Sequence, residues 1–160
     1  LLEFARPMSV RKKATSIQTV IQHSLKMIER DAQAKNINIR TNLSPEIHEV
    51  SIDSDRMNQV FLNLYLNGIE AMEDGGTLSV DLYPEEDGRQ IKIAVSDTGT
   101  GINKEDLVHI FDPYFTTKQS GTGLGLAIVH KIIESHKGEV KVESEPEKGT
   151  TVTIILPFGA

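Results

Sequence analysis

The chain is organised around residues 97–127, which read DTGTGINKEDLVHIFDPYFTTKQSGTGLGLA. It begins with one glycine cluster, residues 97–101 (DTGTG), and ends with a second, residues 121–125 (GTGLG). Glycines beside a helix start expose backbone N–H groups to an anion, and the helix dipole favours negative charge there. An Asp that closes a strand before a tight glycine turn presents a fixed acceptor. Together the two clusters predict a site for a molecule that carries both a base and phosphates.

Periodicity on both sides of this stretch predicts helices and strand pairs in alternation. Polar and apolar residues alternate in the predicted strands, whereas apolar residues recur at helical spacing in the predicted helices. The predicted strands are residues 37–43, 49–52, 77–83, 90–96, 139–144 and 150–156. The predicted helices are residues 16–34, residues 53–72, and a segment after Gly123 that ends at Lys137 and Gly138. Residues 103–120 show little periodicity.

Local signals mark the ends of these helices. Asp53 or Ser54 is a suitable N-cap for the long helix, and Gly75 follows its end. Gly138 is suited to a left-handed C-cap after the last helix. The order of elements predicts an α+β domain, a two-layer α/β sandwich with a mixed sheet and helices packed on one face. A doubly wound parallel sheet is less compatible with this order.

Composition excludes several classes of function. The 160 residues fit one domain, and a net charge of −6 argues against a nucleic-acid partner because no basic stripe exists. Without cysteine, neither disulfides nor a thiolate zinc site can form. No apolar run reaches the length of a membrane span, so we expect no membrane contact by these residues. The first residue is Leu1 rather than Met, and we expect a fragment of a longer protein.

Two asparagines on the long predicted helix are candidate metal ligands. Asn63 and Asn67 lie four residues apart and therefore share one face. A solvated polar face is the simpler interpretation for an isolated pair. The surrounding residues are largely apolar, however, so at least one amide must be satisfied internally or by a ligand. Amide oxygens are hard ligands, suited to magnesium that is also held by phosphates.

Other motifs are excluded or left open. The second glycine cluster is GxGxG rather than GxGxxG, and no phosphate-binding GxxxxGK is present. His48-Glu49 lacks a second His four residues on, and we expect His23, His130 and His136 to be exposed or half-buried in helices. Residues 111–118 (FDPYFTTK) carry three aromatics, which predicts either a satellite hydrophobic cluster or a mobile lid with Lys118 on phosphate.

Four motifs in order resemble the signature boxes of the catalytic domain of sensor histidine kinases, within the Bergerat (GHKL) superfamily. They are residues 63–71 (NLYLNGIEA), 97–102 (DTGTGI), 111–118 (FDPYFTTK) and 121–126 (GTGLGL). The resemblance covers nearly the whole chain. The aromatic box and the helix that follows the last glycines are similar to those of the nitrogen-regulator group of these kinases.

The resemblance implies a Bergerat-type ATP-binding fold with ATP and Mg²⁺ as cofactors. It implies that Asp97 accepts from the adenine amino group, that Asn67 is the main magnesium ligand, and that Asn63 supports it. It assigns catalysis to Asn63, Asn67 and Lys118. The remaining cofactor-binding positions implied on the base and phosphate sides are Gly99, Gly101, Ile102, Gly121, Thr122, Gly123, Leu124 and Gly125.

Two positions depart from the family pattern. Gly68 stands where Ala is usual, and Lys137 replaces the first Gly of a common His-Gly-Gly. We expect neither to touch the chemistry, although Gly68 weakens the helix by up to about 1 kcal/mol.

The phosphoacceptor His of such kinases has no match here. The nearest sequence, His48-Glu49-Val50, has Asp53 where Pro should fall. We therefore expect residues 1–8 to end a dimerisation helix hairpin and residues 9–160 to form the catalytic domain. The resemblance implies that the whole protein is a homodimer, anchored in the bacterial inner membrane with this domain in the cytoplasm. It also implies transfer of phosphate from ATP to that hairpin and onward to a response regulator.

Related ATPases of this fold place a Glu where this chain has Asn63, which cannot take a proton. Transfer to a protein acceptor is therefore favoured over hydrolysis, and Glu70 is the residue to test if hydrolysis occurs. The alternatives are a chaperone- or gyrase-like ATPase, a serine kinase of the anti-sigma type, and a nucleotide-sensing interaction module without turnover.

Overall fold

The computed structural model of the protein describes residues 8–115 and 125–159. In chain order its elements are β1 Lys13–Thr15, α1 Ile17–Met27, α2 Glu29–Ala34, β2 Ile37–Leu43, β3 Val50–Ile52, α3 Ser54–Glu70, β4 Gly76–Pro84, β5 Gln90–Asp97, α4 Lys104–Leu107, α5 Gly125–Ser135, β6 Glu139–Glu145 and β7 Gly149–Pro157. The predicted strands and the three predicted helical regions are therefore present within one or two residues of their expected ends.

Five strands form a mixed sheet in the order β2-β4-β5-β7-β6. β2 and β4 are parallel, whereas β4–β5, β5–β7 and β7–β6 are antiparallel. β1 and β3 form a separate antiparallel pair. The predicted two-layer sandwich is confirmed, because α1, α3 and α5 pack side by side on one face of the large sheet.

The core lies between the helices and that face of the sheet. Ile17 and Ile21 of α1, Phe61 of α3, Ile93 of β5 and Ile132 of α5 are all completely inaccessible to solvent. Alternation along β4 and β5 sends every second side chain into this layer, which is the pattern that predicted the strands. Within residues 8–115 and 125–159, no helix combines the length and apolarity required to cross a membrane.

The predicted helix over residues 16–34 is interrupted. α1 ends at Met27 and α2 begins at Glu29, because Ile28 leaves helical geometry with φ −110° and ψ 6°. Its N–H still donates to the Leu25 carbonyl, and its side chain is only 2% exposed. The spacing of apolar residues could not predict this break, because Ile28 and Ala32 are both buried as in a continuous helix.

Asp53 is the N-cap of α3, which confirms the first of the two predicted residues, Asp53 and Ser54. Its Oδ1 accepts from the Arg56 N–H at 3.2 Å, and its Oδ2 accepts from the Arg11 N–H at 2.9 Å. Partial burial opposes ionisation of Asp53, but these backbone hydrogen bonds and the nearby His136 outweigh it and lower the pKa of the carboxyl group.

The predictions for the end of α5 are wrong at two residues. His136 is 2% exposed rather than half-buried, while His23 and His130 are exposed as expected. The left-handed residue is Lys137, with φ +62°, and Gly138 follows it. Gly138 N–H donates to the Ile133 carbonyl and Lys137 N–H to the Glu134 carbonyl, which is the Schellman arrangement. Gly138 is instead suited to close packing, since a Cβ there would lie 2.4 Å from the Ile155 carbonyl oxygen.

Candidate nucleotide-binding site

A cleft of about 1230 Å³ opens along α3, between this helix, the loop after β5 and the start of α5. Seven of the predicted site residues lie in its wall: Asn63, Asn67, Asp97, Gly99, Gly101, Ile102 and Gly125. The other five, Lys118, Gly121, Thr122, Gly123 and Leu124, lie outside the described residues. The structure thus brings the first glycine cluster and both asparagines to one concave surface, although they come from separate parts of the chain.

Asp97 is fixed at the end of β5. Its backbone pairs with Leu78 of β4 on one side and with Thr150 of β7 on the other. Its Oδ1 accepts a hydrogen bond from the Gly99 N–H at 2.9 Å. The half-buried carboxylate is therefore held by its own strand and by the turn that follows it.

Gly68 of α3 packs directly against Asp97, contrary to the expectation that this departure lies away from the chemistry. A Cβ at Gly68 would lie 3.3 Å from Asp97 Cβ, 3.5 Å from Asp97 Oδ2 and 3.0 Å from Leu78 Cδ1. The absent side chain lets α3 approach the ends of β4 and β5. Gly68 is therefore a poor helix former, as expected, but it also allows close contact between α3 and Asp97.

The loop after β5 (residues 98–102) is anchored to the end of α3. The Thr100 N–H donates to the Ala71 carbonyl at 3.1 Å. A Cβ at Gly99 would lie 2.4 Å from the same carbonyl oxygen, so this position requires glycine. Thr98 Oγ1 accepts from the Thr77 N–H at 3.1 Å and contacts Met72 Sδ at 3.5 Å. These contacts hold the loop backbone close to the cleft.

Asn63 and Asn67 lie one turn apart on α3, and both are half-buried in the cleft wall. A Cβ at Gly125, the first residue of α5, would lie 3.7 Å from Asn63 Oδ1. The glycine leaves space beside this amide where α5 begins. Asn67 lies next to Gly68 in sequence and so near Asp97. The pair thus spans the distance between the aspartate and the start of α5.

This donor set fits magnesium bound together with phosphates better than a metal bound by protein alone. Among residues 8–115 and 125–159, no three His, Asp or Glu side chains are grouped as metal ligands. Asn63 and Asn67 both line this concave space, and amide oxygens are hard donors. Magnesium commonly takes few protein ligands and completes its coordination with water and phosphate oxygens.

The aromatic box contributes to the same region. Phe115 lines the cleft, and its ring lies 5.6 Å from that of His109. The Phe111 ring lies 5.3 Å from that of His130 on α5. Tyr114 is 55% exposed and adopts a left-handed φ of +68°. Phe115 therefore packs at the edge of the cleft, and Phe111 packs against α5, while Lys118 of the predicted lid lies outside the described residues.

Several cleft residues were not predicted from the sequence. Ala71 acts through its backbone carbonyl, so its side chain gives no signal. Glu147, in the turn between β6 and β7, and Thr150, at the start of β7, line the cleft because β7 pairs with β5. The predicted β6–β7 hairpin was the only indication in the sequence that these two residues could reach the cleft, because β7 had to pair with another strand of the sheet. The floor is apolar and includes Val95, Val142 and Val152.

A mixed sheet covered by helices on one face, with a cleft that joins an aspartate, a glycine loop and two asparagines, defines a nucleotide-binding α/β sandwich. The chain belongs to the histidine kinase-, DNA gyrase B-, and HSP90-like ATPase family, whose model matches residues 52–160. This result confirms the resemblance inferred from the four motifs.

Individual relatives are sensor histidine kinases. The chain is 45% identical to the sensor histidine kinase ZraS of Escherichia coli (strain K12) over 98% of its length and 33% of that protein. It therefore spans about one third of that relative. Among solved structures, the catalytic domain of histidine kinase ThkA matches with a TM-score of 0.85 and 28% identity, over 94% of this chain and 97% of that one. Full-length ShkA in complex with AMPPNP matches with a TM-score of 0.86 and 25% identity, over 98% and 34%.

Proposed function

We propose that this chain is the catalytic domain of a two-component sensor histidine kinase. It binds ATP with magnesium and transfers the γ-phosphate to a His on a dimerisation domain outside this sequence, for onward transfer to a response regulator. The observation that carries the proposal is the convergence of Asp97 and the Asn63–Asn67 pair on one glycine-lined cleft. ShkA was solved with the ATP analogue AMPPNP, and ThkA with the response regulator protein TrrA, which supports both halves of the proposal.

Each end of the cleft has its own role. Asp97, already bonded to the Gly99 N–H through Oδ1, recognises adenine by accepting from its amino group. Gly99, Gly101 and Ile102 allow the base to approach the loop backbone. The start of α5, with Gly125 beside Asn63, lies at the phosphate end. There the N–H groups of residues 121–124 and the Lys118 ammonium group bind the phosphates.

Phosphoryl transfer depends mainly on positioning and on neutralising charge. Asn67, with Asn63 in support, would hold magnesium, which would supply positive charge to the phosphates. The chain's own part is to hold the terminal phosphate towards an external His nitrogen. Asn63 stands where related ATPases carry a Glu base, and an amide cannot accept the proton of an attacking water. Transfer to a protein His is therefore favoured over hydrolysis.

The product of the reaction with γ-labelled ATP tests this proposal. In the full-length protein we expect acid-labile, base-stable phosphate on a histidine. Asn67→Ala should abolish the label, whereas the control Asn38→Ala, an exposed residue of β2 outside the cleft, should leave it unchanged. Release of inorganic phosphate without labelled protein would favour the hydrolase alternative. ATP binding without either product would favour a nucleotide-sensing module.

If hydrolysis is found, Glu70 is the residue to substitute first. It lies one turn beyond Asn67 and lines the same cleft. Loss of phosphate release in Glu70→Gln, with ATP binding retained, would identify it as the base.

The proposal extends to the rest of the parent protein. We infer that residues 1–8, of which residues 1–7 lie outside the described part of the chain, end the dimerisation hairpin and that residues 9–160 form the catalytic domain. The similarity of the first residues to a hairpin exit supports this division. The parent is a homodimer anchored in the bacterial inner membrane. Sedimentation of residues 9–160 and of the full-length protein tests this division: a monomeric fragment and a dimeric parent agree with it, and a dimeric fragment contradicts it.

A further inference from the structure

The turn between β6 and β7 packs against the loop at residues 98–102 without space for side chains. The Glu147 N–H donates to the Thr100 carbonyl at 2.7 Å. A Cβ at Gly101 would lie 2.1 Å from the Glu145 carbonyl oxygen, and Gly101 has φ +73°. A Cβ at Gly149 would lie 2.0 Å from the Asp97 carbonyl oxygen. The hairpin therefore contacts the loop backbone at its start, middle and end.

Ser144, near the end of β6, joins these segments through one hydroxyl group. Its Oγ accepts from the Ile102 N–H at 2.8 Å and donates to the Gly149 carbonyl at 3.0 Å. Thr150 Oγ1 lies 2.7 Å away. A hydroxyl has one donor and two acceptor sites, so the Thr150 O–H donates to Ser144 and the hydrogen-bonding capacity of Ser144 is fully used.

The position of this hydroxyl links it to the base end of the cleft. Ile102 closes the loop, while Thr150 is the ladder partner of Asp97, which opens it. Ser144 thus fixes the end of the loop relative to the strand that carries the aspartate. Its partners lie 42, 5 and 6 residues away in sequence, so no local pattern indicates this role.

We propose that Ser144 is a positioning residue for adenine recognition, acting through Ile102 and Thr150. This inference rests on the proposed function, because it assumes that residues 97–102 bind the base. Without the hydroxyl the Ile102 N–H loses its partner and the loop samples other positions. The affinity for the base therefore falls. Chemistry on a bound nucleotide does not depend on this bond.

Nucleotide affinity measured by calorimetry for three variants tests the proposal. Ser144→Ala should weaken binding of both ATP and ADP by about tenfold, as expected for one lost hydrogen bond. Ser144→Thr keeps the hydroxyl and should bind within about twofold of the wild type. Thr151→Ala is the matched control, because it removes the neighbouring Ser96–Thr151 hydroxyl pair between β5 and β7, 2.8 Å apart, without touching the loop. It should leave affinity unchanged.

Two further readouts separate positioning from general loss of structure. In the full-length protein, Ser144→Ala should raise KM for ATP and leave kcat at saturating ATP unchanged. Amide hydrogen exchange at Ile102 should become faster in Ser144→Ala but not in Thr151→Ala. Equal affinity in Ser144→Ala and wild type, or equal losses in Ser144→Ala and Thr151→Ala, would overturn the inference.

Failure of the proposed function gives a different result. In that case the wild type itself binds no ATP. The Ile102 exchange rate then decides whether Ser144 holds the loop, and unchanged exchange would reject that role as well.

Discussion

The two ends of α3 use similar hydrogen bonds for different purposes. At the N-terminus, Asp53 accepts from backbone N–H groups through both carboxylate oxygens, and its own N–H donates to His136 Nε2 at 3.0 Å. At the C-terminus, the Ala71 carbonyl holds the loop that follows Asp97. Both ends thus place an aspartate beside backbone N–H groups. Only the C-terminal end combines the aspartate with glycine-lined space and a pair of amides.

His136 shows that the N-terminal end is structural. Its Nδ1 lies 2.8 Å from the Ile132 carbonyl and its Nε2 accepts from the Asp53 N–H, so the buried ring is the neutral Nδ1–H tautomer. Both nitrogens are occupied by backbone groups. Residue type alone therefore does not identify a site, since an Asp and a His at one end of α3 stabilise the fold while an Asp at the other end lines the cleft.

The largest expected difference between the two ends is in ATP binding. Asp97→Asn has one acceptor oxygen: if this oxygen keeps the bond to the Gly99 N–H, the amide NH₂ opposes the adenine amino group, and if it faces adenine, the bond to Gly99 is lost. Affinity should therefore fall about 100-fold. Asp53→Asn, the matched substitution at the other end, should leave affinity unchanged because Asn is also a good N-cap. Calorimetric titration with ATP and magnesium measures both. Equal affinities in the two variants would remove the distinction between the ends.

A substitution at the N-terminal end of α3 should lower the free energy of unfolding but leave ATP affinity unchanged. His136→Ala leaves a cavity and an unpaired Asp53 N–H in the interior, so the free energy of unfolding should fall by about 2–4 kcal/mol. ATP affinity of the folded protein should be retained. His23→Ala, at an exposed position of α1, should change stability by less than about 0.5 kcal/mol. Urea denaturation gives these values, and a loss of affinity in folded His136→Ala would show that the N-terminal end also acts on the site.

The pH dependence of stability is a further test of the structural role of His136. Burial lowers the pKa of His136, an effect that Lys12 reinforces and that the Ile132 hydrogen bond and Asp53 only partly offset. The unfolded chain therefore takes up this proton first as pH falls. The contribution of His136 is complete above about pH 6.5 and is lost as pH falls from there through the lower folded pKa.

We therefore expect the free energy of unfolding to be lower at pH 5.5 than at pH 7.5. His136→Gln, which keeps an acceptor for the Asp53 N–H, should reduce this dependence. Urea denaturation at the two pH values checks it. An undiminished dependence in His136→Gln would assign the effect to other groups.

The smallest expected effect is at the end of α5. Lys137 occupies a left-handed position, so Lys137→Gly should raise the free energy of unfolding by about 0.5–1 kcal/mol. Gly138→Ala should lower it, because the new Cβ would meet the Ile155 carbonyl oxygen. Thermal denaturation compares the two. A loss of stability in Lys137→Gly would show that Lys137 is not the left-handed residue, and stabilisation by Gly138→Ala would contradict the close packing against Ile155.

Local patterns were sufficient to predict most of the fold. Alternation predicted β4 and β5, and the cap at Asp53 predicted the start of α3, because these features depend on residues close in sequence. The break at Ile28 was missed because helical spacing continues across it. The left-handed residue was placed at Gly138 instead of Lys137, since glycine is the usual occupant and packing against Ile155 was not visible in the sequence.

The positions of the candidate residues were predictable where a distinctive side chain marks them. Asn63, Asn67 and Asp97 were chosen by residue type and spacing, and the structure places them on one cleft. Ala71 and Ser144 were missed, because one acts through its backbone and the other through a partner 42 residues away. The predicted exposure of His136 was wrong because its burial depends on packing against the start of α3.

A crystal structure of the domain with magnesium and a non-hydrolysable ATP analogue would show whether Asp97 and Asn67 bind one nucleotide. We expect the adenine amino group within hydrogen-bonding distance of the Asp97 carboxylate and the metal on Asn67 Oδ1. An analogue bound at any other surface, or bound in this cleft with neither contact, would contradict it.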